Sequence, residues 1–209
     1  MKQAICIVTW SGGEKQTRNL LRSLKDYHRY PIYVVLNDSK HAKGSFLGWL
    51  QTNVNLIMAG DDYYECGALS AMTMLTDIDE FVLLQDTMEI QNPSFFDRMF
   101  WDFQGQTVAY GWNFSHFFGK WRREVLLHAD IPKTVTKEQA LLAEVDFPNH
   151  YKTLERNEIP LLYEEFRDSN PNNRWEKKWG RLNLVLTSEH VIKYKGTWGI
   201  DVTPPSITV

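Results

Sequence analysis

Glu80–Ile90 reads EFVLLQDTMEI. Phe81–Leu84 is an unbroken apolar run that gives way to Gln85 and Asp86. An apolar run this short, bounded by polar residues, predicts a strand buried on both faces over Glu80–Gln85. Such strands belong to sheets covered by helices on both sides. The fold therefore hangs on whether similar runs alternate with helical patterns elsewhere in the chain.

They do, toward the N-terminus. Ala4–Thr9 (AICIVT) and Ile32–Leu36 (IYVVL) are short runs rich in β-branched residues, and Asn55–Met58 is a weaker one. Between the first two, Glu14–Leu24 carries Leu20, Leu21 and Leu24 on one helical face and Arg18 and Arg22 on others, which predicts an amphipathic helix. Glu65–Leu75 predicts another, with small residues Gly67, Ala68, Ser70 and Ala71 suited to close packing. Asn92 and Pro93 have the residue types of an N-cap and a first helical position. Strand and helix in alternation predict an α/β fold with a central, mostly parallel mixed sheet flanked by helices. Further along, Thr107–Tyr110 and Val185–Thr187 suggest strands, Lys137–Phe147 a helix capped by Thr136, and residues 167–180 a polar loop.

In open sheets of this kind ligands bind beyond the carboxyl ends of the strands. The residues expected there are Thr9 and Trp10, Asn37 and Asp38, Asp61 and Asp62, and Asp86. Any one of these is an ordinary polar turn residue; their convergence on one edge is what points to a site. Asp77-Ile78-Asp79 also matches a D-x-D string. It precedes the strand whose far end carries Asp86, and six strand residues span roughly 20 Å. The two acidic groups cannot share one ion, and the strand geometry favours Asp86.

Composition narrows the function. The chain has 209 residues with 43% hydrophobic content, enough for one sizeable core. A net charge of -3 gives no electrostatic case for a nucleic-acid partner or a membrane surface. No apolar stretch is long enough to span a bilayer. Two cysteines at unrelated positions fit no zinc motif or disulfide framework and suit a reducing, cytoplasmic setting. Eight tryptophans are spread through the chain. Most are expected in the core, and some could line a sugar groove.

The segment Glu65–Ile90, ECGALSAMTMLTDIDEFVLLQDTMEI, resembles the middle of family 2-type glycosyltransferases of the GT-A fold. There a Gly-Ala-Leu-Asn helix precedes a strand ending in Asp-x-Asp. Gly67-Ala68-Leu69-Ser70 stands at that helix, with Ser70 for the usual Asn, and Asp86 stands at the first Asp of the motif. Met88 replaces its second Asp; in the register of retaining, family 8-like enzymes, Gln85-Asp86-Thr87 stands on the motif instead. AICIVTWSGGEKQTRNLLRSL and IYVVLNDS are similar to the family's start, so the resemblance covers about the first hundred residues. A general similarity to a virally encoded glycosyltransferase domain would place the protein in a host cytoplasm.

The resemblance implies a single Rossmann-like domain over 1–209, with residues 1–100 as the nucleotide-sugar half and 101–209 on the acceptor side. It implies transfer of a hexose from a UDP-sugar, such as UDP-glucose or UDP-rhamnose, to a glycan or glycoprotein acceptor. It also implies a Mn²⁺ or Mg²⁺ cofactor. Thr9, Trp10, Asp38, Ser70 and Asp86 would line the donor. In Glu189–Gly199 (EHVIKYKGTWG), His190 would complete the metal shell with Asp86, and Lys193 or Lys195 would lie on a loop closing over the diphosphate. Glu144 or Asp146 would be the catalytic base, and Arg122 or Arg123 could approach acceptor or phosphate. Two other readings stay open. One is a sugar-nucleotide nucleotidyltransferase, although Ser11–Lys15 lacks that class's full glycine-rich loop. The other is a tryptophan-rich carbohydrate-binding module, a class that is mostly all-β.

Overall fold

The computed structural model describes residues 1–59, 64–104, 108–109, 118–134, 136, 138–140, 142–143, 146–147, 184–187 and 190–195. Four strands, β1 (Gln3–Trp10), β2 (Ile32–Asn37), β3 (Asn55–Met58) and β4 (Glu80–Gln85), pair in parallel in the order β3-β2-β1-β4. Beyond β4 the six-stranded sheet turns antiparallel through β7 (Gly119–Arg122) and β6 (Val108–Ala109). β5 (Met88–Ile90), β9 (Val191–Lys195) and β8 (Leu184–Thr187) form a second, antiparallel sheet.

The double-sided burial expected of β4 is real. Val82 and Leu84 point into one apolar cluster with Ile5, Ile7, Val34 and Leu36, while Phe81 and Leu83 point into another with Ala4, Cys6, Val8 and Val35. The first cluster is covered by α1 (Glu14–Ser23), α2 (Gly44–Asn53) and α4 (Ser94–Trp101) through Leu20, Phe46, Leu50, Phe95 and Phe96. The second is covered by α3 (Glu65–Thr73) and α5 (Arg123–Leu126) through Leu69, Met72 and Leu126. Residues 138–140, 142–143 and 146–147 are helical as well, and Phe147 stacks on Trp121 with ring centroids 6.1 Å apart. Thr136 caps that stretch: its hydroxyl accepts from the Gln139 amide, and the Gln139 side chain accepts from the Thr136 amide.

Several details depart from expectation. α2 carries two glycines, Gly44 and Gly48, which dilute its helical pattern; Phe46 and Leu50, four residues apart, supply its buried face. At the start of α4, by contrast, the Asn-Pro signal holds: the Asn92 side chain accepts from the Ser94 amide at 3.0 Å, and Pro93 already has helical angles, φ -64° and ψ -14°. The GKWR segment is a strand rather than charged surface. Lys120 is fully buried, with its ammonium 3.5 Å from Glu80 and donating to the carbonyl of Phe103. Val191–Lys195 is also a strand and not a phosphate-covering loop.

The topology locates a crevice. α1 and α2 carry the chain outward along one face from β1 to β3. α3 then returns it across the opposite face and sets β4 on the other side of β1. Strand order reverses between β1 and β4. At such a switch point the loops leaving the two carboxyl ends diverge and open a cleft.

Candidate active site

Asp86 sits in that cleft. Its amide donates to the carbonyl of Val8, extending the β1–β4 ladder by one residue and fixing the side chain against β1. The hydroxyl of Thr9 donates to its Oδ2 at 2.9 Å. Behind Thr9 the hydroxyl of Thr17 lies 2.7 Å away and donates to the carbonyl of Gly13 at 2.8 Å. The turn from β1 into α1 is closed by the Gly13 amide on the carbonyl of Trp10 at 2.9 Å. Gly13 has an ordinary φ of -85°, so glycine is required there by space. A Cβ would collide with Asp86 Oδ2 and Thr9 Oγ1.

Lys193 closes the other side. It is 4% exposed on β9, and its ammonium donates to the side chains of Gln85 and Thr87. Gln85 in turn donates to Glu65, the first residue of α3, at 2.6 Å. The cleft therefore holds one buried ammonium and two carboxylates around the end of β4. Burial, offset by the Thr9 hydrogen bond and the charge of Lys193, pushes the Asp86 carboxyl up to about 6 from an ordinary 3.8; the charge of Glu65 adds to the rise.

That shift has a signed consequence. Between about pH 4 and about pH 6 the folded metal-free protein holds a proton on Asp86 that the unfolded chain has lost. Stability must then fall as pH rises through this window, by about 3 kcal/mol in total for this group. Urea denaturation of chelator-treated protein at pH 5 and pH 7, compared with Asp86→Asn, checks it. The wild type should lose stability relative to the variant at the higher pH.

The other expected site residues divide cleanly. Trp10 ends β1, 37% exposed as a residue, with Gly12 directly against its ring. Asp38 follows β2 in a left-handed conformation, φ 53°. Its carboxylate meets His41 Nδ1 at 2.5 Å and accepts from Ser11 at 3.0 Å; the His41 contact chiefly, and Ser11 as well, hold its pKa below the ordinary value. Ser70 lies more than a turn into α3, half-buried. Asp79 is at the amino end of β4, where its carboxylate accepts from the Lys2 amide at 2.7 Å, so the D-x-D string is at the opposite edge from the cleft.

Two expectations are corrected. His190 and Asp86 are not brought together. β9 runs antiparallel to β5, so the register that puts Lys193 opposite Met88 sets His190 beside Gln91, with its ring 6.4 Å from that of Phe95. Arg122 and Arg123 belong to the amino edge of β4: Arg122 is opposite Glu80 in the ladder, and Arg123 donates to the carbonyl of Thr73. Neither can reach a ligand at Asp86. Glu144, Asp61, Asp62 and the side chain of Lys195 lie outside the described residues. Asp146 is exposed on the helical stretch after Thr136 and lines a cavity of 390 Å³ with Asp130, Lys133 and Thr134. Thr134 accepts from the Tyr64 amide just before α3, which puts this cavity on the α3 side of the carboxyl edge. Gly13, Thr17 and Glu65 join the site without having been expected there, beside Thr87 from the Gln85-Asp86-Thr87 register. Of these, only the position of Glu65 at the start of a predicted helix carries any signal in the sequence.

Similarity of shape to known proteins agrees with the topology. No protein-family model and no curated protein matches the sequence. Among solved structures, S. aureus TarS superposes with a TM-score of 0.51 at 14% identity, covering 78% of this chain and 35% of TarS. A protein assigned as a glucose-1-phosphate thymidylyltransferase from Bacillus anthracis gives 0.51 at 11% identity over 76% of this chain and 85% of that one. One assigned as a nucleotide-diphospho-sugar transferase from Desulfovibrio desulfuricans G20 gives 0.50 at 11% over 78% and 80%. The chain shares the mixed α/β fold of these three structures, a central, mostly parallel sheet flanked by helices. It spans about a third of the length of TarS. This mixed α/β architecture is not that of an all-β carbohydrate-binding module.

Proposed function

We propose that the protein is a glycosyltransferase that moves a hexose from a nucleoside diphosphate sugar, UDP-linked, to a hydroxyl of a glycan or glycoprotein acceptor. The observation that carries this reading is the Asp86 carboxylate, buried at the β1/β4 switch point, braced by Thr9 and flanked by the buried ammonium of Lys193. A nucleotidyltransferase shares the sheet, but here the chain passes from β1 into α1 through one tight turn packed against Asp86. That turn is shorter than an extended glycine-rich phosphate loop, which favours the glycosyltransferase.

In the transfer, the acceptor oxygen forms a bond to the anomeric carbon as the bond from that carbon to the β-phosphate oxygen breaks. Nucleoside diphosphate leaves with the electron pair, and the acceptor proton passes to a carboxylate base. Asp146, exposed at the α3-side cavity, is the described residue suited to that role; Glu144 is the other candidate. Lys193 would hold negative charge on the leaving diphosphate, while Asp38 and Trp10 would line the nucleoside.

The residues also fit a divalent ion. Mg²⁺ and Mn²⁺ accept one or two carboxylates together with phosphate oxygens and water. Asp86 offers hard oxygen in a place where a second carboxylate, Glu65, adds negative charge. Such an ion would neutralise the diphosphate. Asp86 would hold it without His190.

Incubating the protein with UDP-, GDP- and dTDP-hexoses and Mn²⁺ tests the reading. Release of nucleoside diphosphate with free sugar or glycosylated acceptor is expected, fastest from a UDP-sugar. Turnover of a nucleoside triphosphate and a sugar 1-phosphate to pyrophosphate, with no donor cleaved, would establish the nucleotidyltransferase instead.

A further inference from the structure

Asp97 and Trp101 stand four residues apart in α4, so they share one face of the helix. Trp101 is 65% exposed. Its indole nitrogen donates to the hydroxyl of Tyr30 at 3.3 Å, and the guanidinium of Arg29 lies over the ring, 5.1 Å from the centroid. The ring is therefore held at one edge and on one face, and its exposure leaves the other face to solvent. Asp97 is held as firmly. Its Oδ1 accepts from the hydroxyls of Tyr27 and Tyr30 at 3.3 and 3.2 Å and lies 2.8 Å from the Arg29 guanidinium. Its Oδ2 accepts no hydrogen bond among the described residues, and the side chain is part-exposed. Tyr27 and Tyr30 root the group in the core, with ring centroids 5.3 Å from Phe96 and 4.6 Å from Phe100.

A lone exposed indole is ordinary on a protein surface. One pinned on two sides, beside a clamped carboxylate with an open oxygen, is already ordered for a ligand. The chemistry selects which ligand. A flat apolar ring fits the C–H face of a pyranose, while the carboxylate accepts from sugar hydroxyls and the guanidinium donates to them. A protein partner is a poorer match, because one aromatic side chain offers roughly 150–250 Å² where each side of a stable complex buries about 800 Å². We propose that Trp101, Asp97 and Arg29 form a saccharide-binding site that takes a pyranose unit of a glycan. Arg29 and Tyr30 come just before β2, so their contacts place the site at the amino edge of the sheet. The six residues of β2 separate the two edges by roughly 20 Å, which leaves the cleft at Asp86 free. For an acceptor glycan, such a hold raises its effective concentration at the cleft; the site itself does not depend on the glycosyltransferase reading.

The test titrates cellohexaose, maltohexaose, mannohexaose and chitohexaose into the full chain by calorimetry, without metal or nucleotide. One or more should bind, and Trp101→Ala and Asp97→Asn should each weaken that binding roughly tenfold or more. Saturating UDP with Mn²⁺ should not compete, and Asp86→Ala should bind the sugar like the wild type. Trp101→Ala changes an exposed position and should keep the wild-type melting temperature; Trp101→Phe should restore part of the affinity. Binding of none of the four sugars, or equal binding to Trp101→Ala, would overturn the site. So would loss of binding in Asp86→Ala, which would seat the sugar in the cleft. A wild-type dimer that Trp101→Ala dissociates, seen by sedimentation without sugar binding, would give this face to a second copy instead. Failure of UDP to bind would remove the transferase reading and leave this site standing.

Discussion

Asp86→Ala should lower metal-dependent affinity for UDP by roughly 100-fold or more, about 3 kcal/mol, without unfolding the protein. The two halves of that expectation come from the same burial. Removing the carboxylate deletes the acidic group that extends the β1–β4 ladder into the cleft, so a divalent ion would lose its anchor there. It also deletes a buried charge whose raised pKa shows that the fold bears a cost to keep it ionised. Thr9 loses one hydrogen bond but keeps its contact with Thr17. At pH 8 the variant should therefore be within about 1–2 kcal/mol of wild-type stability, or above it. Asp77→Ala, an exposed change at the other end of β4, should alter neither quantity. Calorimetric UDP titrations and urea denaturation of the three proteins separate the outcomes. A variant that unfolds while Asp77→Ala loses nucleotide binding would move the site to the opposite edge of the sheet.

Gly13→Ala should damage both fold and site with a single methyl group. The added carbon would lie inside the contact distance of Asp86 Oδ2 and Thr9 Oγ1. Neither can retreat freely: Asp86 is tied to Val8 through its amide, and Thr9 is a buried strand residue backed by Thr17. Overpacking of this kind costs about 1–3 kcal/mol. Whatever relaxes to admit the methyl also displaces the carboxylate, so UDP affinity should fall roughly tenfold or more as well. The backbone angles at Gly13 suit alanine, so no conformational penalty confuses the result. Wild-type affinity in a destabilised Gly13→Ala would mean that Asp86 does not need its present position to bind.

The parallel core was legible because its strands are buried on both faces, which leaves continuous apolar runs such as AICIVT and FVLL with little else they could form. Asp86 was legible for the same reason, as the first acidic residue after such a run. What surrounds it was not. Lys193 reaches the end of β4 through an antiparallel pairing between segments more than a hundred residues apart, and nothing local in VIKYK states its register. The same register carries His190 away. A histidine near a lysine in the sequence looks like one site, but on a strand a three-residue offset puts them about 10 Å apart on opposite faces. GKWRREV was misleading in another way. Its charges suggest solvent, yet Lys120 is buried against Glu80 and the carbonyl of Phe103, and a buried pair leaves no mark in the pattern of either segment. Gly13 looks like a chain break in the sequence; its role is the space it leaves for a carboxylate far along the chain, which only the packed structure reveals.

The cleft between β1 and β4 is proposed to bind a nucleoside diphosphate through Asp86. The most direct measurement is the thermal unfolding of the wild-type chain with UDP, with Mn²⁺ and with both. A ligand that binds only the native state adds about 2.7 kcal/mol at a hundred times its dissociation constant. UDP with Mn²⁺ is expected to raise the melting temperature by several degrees in the wild type and far less in Asp86→Ala. No shift with any nucleotide and any divalent ion, or the same shift in both proteins, would contradict it.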